Sequence, residues 1–571
     1  MATSTLLRNG ATKQFRRLLF EFYSGLLRCT RNEVKRGFHF VVALLSFVLL
    51  ISCGRHQDND EGLSIFKYNE SAGILTLDPI YAKDLPHIWA CNQVFNSLVA
   101  FDEHMNLVPM VAKSWDISED GLRYTFHLRN DVRFHEDTCF TMKSRCVTAQ
   151  DFVYSFNRVV DKRLNSPGMW IFASVKHEDE QYAFTAIDDT TFQIELAKPF
   201  PPFLGILSMT YASVVPSEAV EYYGDDFRRH PVGTGPFRFQ YWKENVKLVF
   251  RKNPDYFEVD EEGERLPYID AVSISFLIDK QVAFLEFIKG KFDFMSGIDA
   301  RYKDELLTYD GQLRLKYKDK IDLVTEPYLN TEYFSFFIAP DDSLGIDRSR
   351  ALRQAVNLCI DREKMLRYLR NGIGEPGTGG MIPVGLPGHS SSIGYGYDPK
   401  QARRLVADNH LDGYLLQLST VADYADIGKF VQSQVEQIGL RCKMEVMPPA
   451  TMRSMRSNGS LSFFRSSWVA DYPDAENYLS LFTTANFAPV GPNYTHYSNF
   501  EYDRLYEKAL LCNDLQERAK YYTEMDSLMM RDAPVVVLFY DEVLRFVNQR
   551  VQGLGSNPIN LLDLKRVRIV G

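Results

Sequence analysis

In AVSISFLIDKQVAFLEFIKGKFDFM, residues 271–295, two hydrophobic periods follow one another. Along 271–278 the apolar residues Val272, Ile274, Phe276 and Ile278 recur every second position, which sets them on one face of an extended strand. Residues 280–289 then form a helical run, Gly290 is its stop, and residues 292–295 return to strand. Strand, helix and strand over so short a span is the pattern of a βαβ unit, and it predicts an α/β fold with parallel strand pairing.

The same pattern recurs downstream. Asp398 stands as N-cap with Pro399 at the first helical position, and Ala402, Leu405 and Val406 follow before a stop near Gly413 and a strand over 414–419. A helix over 424–438 presents Ile427, Val431, Val435 and Ile438 on its inner face and closes at Gly439, before a strictly alternating strand over 440–446. Thr148 and Asp151 make a capping box for a helix carrying Phe152, Phe156, Val159 and Val160. One helix is expected over 350–370. Residues 96–212 differ from the rest in being rich in strands and aromatic residues, with GLRYTFHLRNDVRF and TTFQIELAKPFPPF as hairpin arms, and predict a separate, smaller domain. The turns at 199–202 and 231–237 mark where the chain passes between units.

At 571 residues the chain is too long for one core and predicts two or three domains. Residues 1–52 hold eight Lys or Arg against two Glu, so the remainder of a chain with net charge -9 is more acidic still. That balance argues against a nucleic-acid partner. Lys35 and Arg36 precede the apolar run 38–51, which ends Leu50, Ile51, Ser52, Cys53. A run of about fourteen residues is short of the roughly 20 that a permanent membrane helix needs, so it reads as a signal peptide with a lipobox. Cys53 is then the expected mature N-terminus and lipid anchor, and the length of 1–33 suggests that translation begins near Val34. The protein is expected to be exported and lipid-anchored, in a periplasm or at the outer face of the cell membrane.

None of the remaining cysteines has the spacing of a zinc site, and no metal or cofactor is expected. Cys139 and Cys146 bracket one loop, and in an oxidising compartment they would pair as a disulfide or stay two independent thiols. Cys91, Cys359, Cys442 and Cys512 sit among periodic apolar residues and read as core side chains. GIGEPG at 372–377 matches a dinucleotide fingerprint by letters, yet it follows a helix instead of a strand and is read as a loop. Walker A, HExxH and GxSxG sequences do not occur, and the eleven histidines are scattered singly. No catalytic residue is expected, and the chain is not expected to be an enzyme.

RSSWVADYPDAENY, residues 465–478, packs Trp, Tyr and two Asp into a turn after the apolar strand LSFF. Two readings stand at this point: a ligand-binding loop, or a solvated loop in which Asp474 caps a helix.

Ordered segments over residues 64–571 resemble the family 5 extracellular solute-binding proteins, the oligopeptide- and dipeptide-binding group of ABC importers. They are TLDPIYAKDLPHIWACNQVFNSLVAFD, LVPMVAKSWDISEDGLRYTFHLRNDVRFH, VTAQDFVYSFNR, PVGTGPFRF with LVFRKNPDYF, SRALRQAVNLCIDREKML and SSWVADYPDAENY. The resemblance implies a two-lobed, three-domain clamshell of periplasmic-binding-protein type II with mixed sheets, closing on an extended peptide. It implies a first domain from 53–96, 212–325 and 541–571, a small strand-rich domain at 97–211, and a third domain at 326–540 forming the second lobe, after a leader at 1–52. It places Asp471 as the anion for the peptide amine, Ser467 to Val469 as the strand edge, Trp468 as a pocket wall and Arg465 as positive charge toward the peptide carboxylate. Leu85, Trp170, Tyr333, Asn493 and Tyr540 fall on matched segments expected to face the cleft. The implied partners are a peptide and an ABC permease, with contact to the membrane through the N-terminal lipid alone and the protein itself a monomer. Relatives in the same fold carry nickel complexes, haem, opines or sugars, so the ligand class stays open. The insertion 138–147 departs from the shorter common form of the family.

Overall fold

The structure, a computed structural model, describes residues 62–297, 299, 302–338 and 344–570. Residues 64–571 form one contact unit. The leader, the lipobox and Cys53 lie outside the described residues.

The opening stretch folds as a parallel βαβ unit with one strand more than its own sequence shows. Ala271–Ser275, the helix Lys280–Ile288 and Phe294–Ser296 follow in order, and Ile65–Asn69 lies between the two strands, parallel to both. Asp279 caps the helix by accepting from the Gln281 and Val282 amides, and Gly290 ends it at φ 76°. The strand stops at Ser275, so Ile278 does not share its buried face and is 81 % exposed. Strands Lys247–Lys252 and Phe237–Lys243 extend this sheet at one edge.

Two long strands carry the sheet from one lobe into the other. Ile321–Phe336 runs antiparallel to Val535–Asn548, first in register from Ile321↔Asn548 to Pro327↔Glu542 and then from Thr331↔Tyr540 to Ser335↔Val535. Between Pro327 and Thr331 one strand gains residues over the other, and this bulge re-aims the side chains of 328–330. Beyond it lie Phe463–Val469, Leu415–Thr420 and Arg441–Val446. The last two are parallel and joined through the helix Ala425–Glu436, the second βαβ unit read from sequence. The expected boundaries at 325/326 and 540/541 thus fall inside the two crossing strands. The buried apolar clusters divide the same way, one pair built from residues 66–324 and 544–567 with a few guests, the others from 329–540.

Within the first lobe, Ala112–Ile117, Arg123–Leu128, Thr191–Glu195 and Phe184–Asp188 form a four-stranded antiparallel sheet. The helix Ala149–Val160 covers it, with Phe152 and Phe156 packed against Phe192 and Phe184. Thr148 and Asp151 form the expected capping box, and Arg145 grips Asp151 at 2.7 and 2.8 Å.

Two further expectations are corrected. The single helix over 350–370 is two, Ile346–Cys359 and Arg362–Leu369. Ile360 is extended and Asp361 caps the second helix through the Lys364 amide, while buried Arg362 donates to the carbonyls of Val537, Asn357 and Tyr395. Cys139 and Cys146 are free thiols, one of the two states that the sequence left open. The Cys146 sulfur accepts from Arg133, and Asp137 beside the Cys139 thiol adds to partial burial in pushing it up to about 12. Cys512 is half-buried at a helix end, where its thiol donates to the Asp514 carbonyl, whereas Cys91, Cys359 and Cys442 are core residues as expected.

Candidate functional site

A cavity of about 450 Å³ lies between the lobes. One wall comes from the helix Leu85–Val94 with Lys83 and Asp84 before it, and from Met209, Thr210 and Tyr211; the other comes from Tyr328 and residues 469–473. Its size falls in the range of small-molecule sites, about 300–1,000 Å³.

The first-lobe wall is fixed by close backbone packing. The turn at 231–237 presses on the end of Leu85–Val94, where the Gly235 amide donates to the Val94 carbonyl at 2.8 Å. A Cβ on Gly233 would lie 2.1 Å from the Val94 carbonyl oxygen, so only glycine allows this approach. At the other end of the helix Asp84 accepts from the His87 amide, and His87 Nδ1 donates to the Asp84 carboxylate while Nε2 accepts from the Leu75 amide. These two contacts set the imidazole tautomer and occupy Asp84.

The second-lobe wall is the loop that follows Phe463–Val469. Asn477 organises it: its Oδ1 accepts from Trp468 Nε1 at 2.8 Å and from the Asp471 amide at 3.1 Å. The two acids of the loop then diverge. Asp474 takes Arg518 at 3.1 Å and the Tyr522 hydroxyl at 2.8 Å and is committed to the lobe's interior. Asp471 has no cation among the described residues and only a 3.5 Å contact from the Asn477 amide. Its carboxylate is reachable by water through the cleft yet enclosed by protein; that burial raises its pKa above the ordinary range, and the Asn477 contact opposes the rise. The next residue, Tyr472, is buried against the first lobe's core cluster, and its hydroxyl donates to Glu476, as does that of Tyr506. The solvated-loop reading does not hold: Asp474 does accept from the Glu476 amide at 2.9 Å, but from inside the lobe, and Asp471 is the acid of the loop left facing the cavity.

The strand Phe463–Val469 pairs along one edge with Asn330 to Phe336, and along the other with Leu415–Thr420 only at Phe463 and Phe464. Among the described residues the second edge is open from Arg465 to Val469, leaving main-chain groups free to pair with an added strand.

Not every residue expected at the cleft lines this cavity. Leu85, Val469 and Asp471 do. Trp170 is 41 % exposed and stands against Tyr472. Ser467 lies on the strand opposite Glu332, and Trp468 packs on the second lobe's core. Arg465 is turned away, because its guanidinium donates to both Glu332 oxygens at 2.8 and 2.7 Å and lies 3.7 Å over the Tyr424 ring. Tyr333 is buried in the second lobe's core. Asn493 spends its amide on the carbonyls of Thr483 and Tyr497 and accepts from the Thr495 hydroxyl. Tyr540 donates to the Gly380 carbonyl at 2.7 Å. In place of these, Lys83, Tyr211 and Tyr328 line the cavity. Tyr211 fits because Gly168 has no Cβ, which would sit 2.4 Å from its ring, and burial together with the charge of Asp471 pushes its hydroxyl up to about 12.

Residues 106–488 match the family described as bacterial extracellular solute-binding proteins, family 5 middle. The glutathione-binding protein GsiB of Pectobacterium atrosepticum is 26% identical over 503 residues, covering 86% of this chain and 91% of that protein. GsiB of Salmonella typhimurium is 25% identical over 498 residues, covering 85% and 90%. Among solved structures, HbpA2 from Haemophilus parasuis has a TM-score of 0.77 at 23% identity, covering 88% of this chain and 99% of that one. DppA from Helicobacter pylori, in complex with the peptide STSA, has a TM-score of 0.71 at 24% identity, covering 90% and 100%. These structural likenesses establish the two-lobed periplasmic-binding-protein fold. With more than half of its length matched by the family, the chain belongs to the family 5 bacterial extracellular solute-binding proteins, which are substrate-binding transport proteins and not enzymes.

Proposed function

We propose that this protein captures a short peptide between its lobes, holding the free amine on Asp471 and the backbone on the open strand edge 465–469, and delivers it to an ABC permease. The observation that carries this reading is the uncompensated Asp471 carboxylate beside that edge, in a cavity of peptide size. A strand edge satisfies the backbone groups of any extended peptide, and a carboxylate in an enclosed cleft favours a cationic amine over water. The ligands named for relatives, glutathione and the peptide STSA, are of this class. Export with a lipid on Cys53, the three-domain division given above and a monomeric state belong to the same proposal.

Calorimetry with trialanine and N-acetyl-trialanine, on wild type and Asp471→Asn, tests it. Breaking a buried charge pair costs about 3–5 kcal/mol, so each change alone weakens binding by roughly two to four powers of ten. The two changes delete one interaction and do not add. Equal affinity of wild type for both peptides would remove the amine anchor and favour a ligand without an amine.

A further inference from the structure

The charged groups that line the cavity separate into paired and unpaired. Asp84 is bonded to His87, and Lys565 lies 2.8 Å from Glu258 and 3.6 Å from Asp563. Among the described residues Lys83 and Asp471 have no ion partner, and both residues line the cavity. They come from opposite lobes. The root of Lys83 is fixed: its amide donates to the Tyr81 carbonyl at 2.9 Å, at the end of the turn Pro79–Tyr81 capped by Asp78. Arg158 holds Asp78 in turn at 2.8 and 3.2 Å, a pair largely removed from solvent. Lys83 therefore rises from an anchored turn, not from a loose loop.

We propose that Lys83 binds the terminal carboxylate of the peptide whose amine Asp471 holds, so that the protein selects short zwitterionic peptides with a free C-terminus. This rests on the peptide reading above and adds a second anchor to it. The expected partner for that carboxylate, Arg465, is unavailable because Glu332 already neutralises it. Tyr211 belongs to the same first-lobe wall as Lys83 and lines the cavity that Asp471 lines from the other. An extended chain advances by about 3.3–3.6 Å per residue, so a peptide of two or three residues spans on the order of 10 Å between its charged ends. A ligand carrying both charges bridges the lobes and favours their closure; a ligand lacking one leaves a lobe's charge without its partner.

The test is calorimetry of wild type, Lys83→Ala and Lys83→Arg with trialanine and with trialanine amide, after thermal unfolding has shown all three proteins folded. The side chain of Lys83 is exposed, so the substitutions leave the core intact. In wild type, amidation is expected to weaken binding about 10- to 100-fold, as for a hydrogen bond between charged groups. Lys83→Ala should weaken trialanine by the same factor and bind acid and amide alike, while Lys83→Arg stays within a few-fold of wild type. Equal wild-type affinity for acid and amide, or an equal loss for both ligands in Lys83→Ala, overturns the assignment of Lys83 and leaves the amine anchor standing. Failure of wild type to bind di-, tri- or tetra-alanine at all overturns the peptide reading, and this proposal with it.

Discussion

The ring of Trp170 and the ring of Tyr472 lie with centroids 6.3 Å apart and planes at 34°. Trp170 belongs to the turn Met169–Phe172 of the first lobe, whereas Tyr472 follows Asp471 on the loop of the second. Tyr472 is only 5 % exposed and packs into the first lobe's core cluster. The loop that carries Asp471, the proposed anchor for a ligand amine, therefore also carries the aromatic ring that packs between the lobes, and the two residues are joined by one peptide bond.

Tyr472→Ala removes that ring, and with it an aromatic pair worth about 0.5–1.5 kcal/mol beyond its buried area. The expected outcome is peptide affinity lowered by roughly ten- to a hundredfold and a smaller ligand-induced decrease in the radius of gyration by small-angle scattering. Tyr472→Phe keeps the packing and loses only the bond to Glu476, so it should fall between the two. Wild-type scattering profiles from Tyr472→Ala, with and without trialanine, would show that the ring has no part in closure.

The pair Arg465–Glu332 is a buried ion pair stacked on Tyr424. Glu332→Gln strands the guanidinium in the interior, and about 3–5 kcal/mol of unfolding free energy is expected to be lost. Replacing both partners, as in Glu332→Leu with Arg465→Met, should recover most of that loss, since neither charge then remains to be solvated. Denaturant titration of the three proteins measures it. Recovery by the double variant would confirm a structural pair; a double variant as damaged as the single one would mean that Arg465 has a further role.

Why some of this was legible in the sequence and some not follows from the range of each interaction. The βαβ unit at 271–295 and the capping box at Thr148 are local, written in the spacing of a few residues. The strand Ile65–Asn69 inserts into the unit from some two hundred residues away, and nothing in 271–295 announces it. The helix break at Ile360 is hidden because apolar spacing continues across it; Asp361, a cap residue, was the available signal. Asp471 is singled out through the family resemblance and not by its loop alone, while Lys83, Tyr211 and Tyr328 join it only through the tertiary fold, and the bulge beside Tyr328 is a property of two strands in register. Arg465 misled for the same reason, since its partner Glu332 lies on the neighbouring strand.

Gly235 tests the packing behind the first-lobe wall. A Cβ there would approach the Val94 carbonyl carbon to 2.5 Å, and neither backbone can yield without tilting the helix that carries Leu85. Gly235→Ala is expected to destabilise by about 2–4 kcal/mol, among the larger single-site effects, and to weaken peptide binding in parallel. An alanine variant with wild-type unfolding and affinity would mean that the turn and the helix separate at little cost.

Glu476 supplies the pH dependence. It is 3 % exposed and accepts from the hydroxyls of Tyr472 and Tyr506; burial, reinforced by nearby Asp474 and opposed by these two hydroxyls and Arg518, raises its pKa from 4.5 to about 7. The folded state therefore holds this proton more tightly than the unfolded chain does. Its contribution to stability is fully present below about pH 4.5 and is lost as pH rises through about 7. Each tenfold in proton affinity corresponds to roughly 1.4 kcal/mol, so about 3 kcal/mol is lost across that window. Glu476→Gln resembles the protonated acid and cannot ionise. Relative to wild type it should be near neutral at pH 4.5 and more stable by about 3 kcal/mol at pH 8. Because other acids titrate in both proteins, the quantity to measure is the difference between the two unfolding free energies across pH 4.5–8. A constant difference would show that Glu476 is ionised throughout the range, with the two tyrosine hydroxyls sufficient to hold its charge.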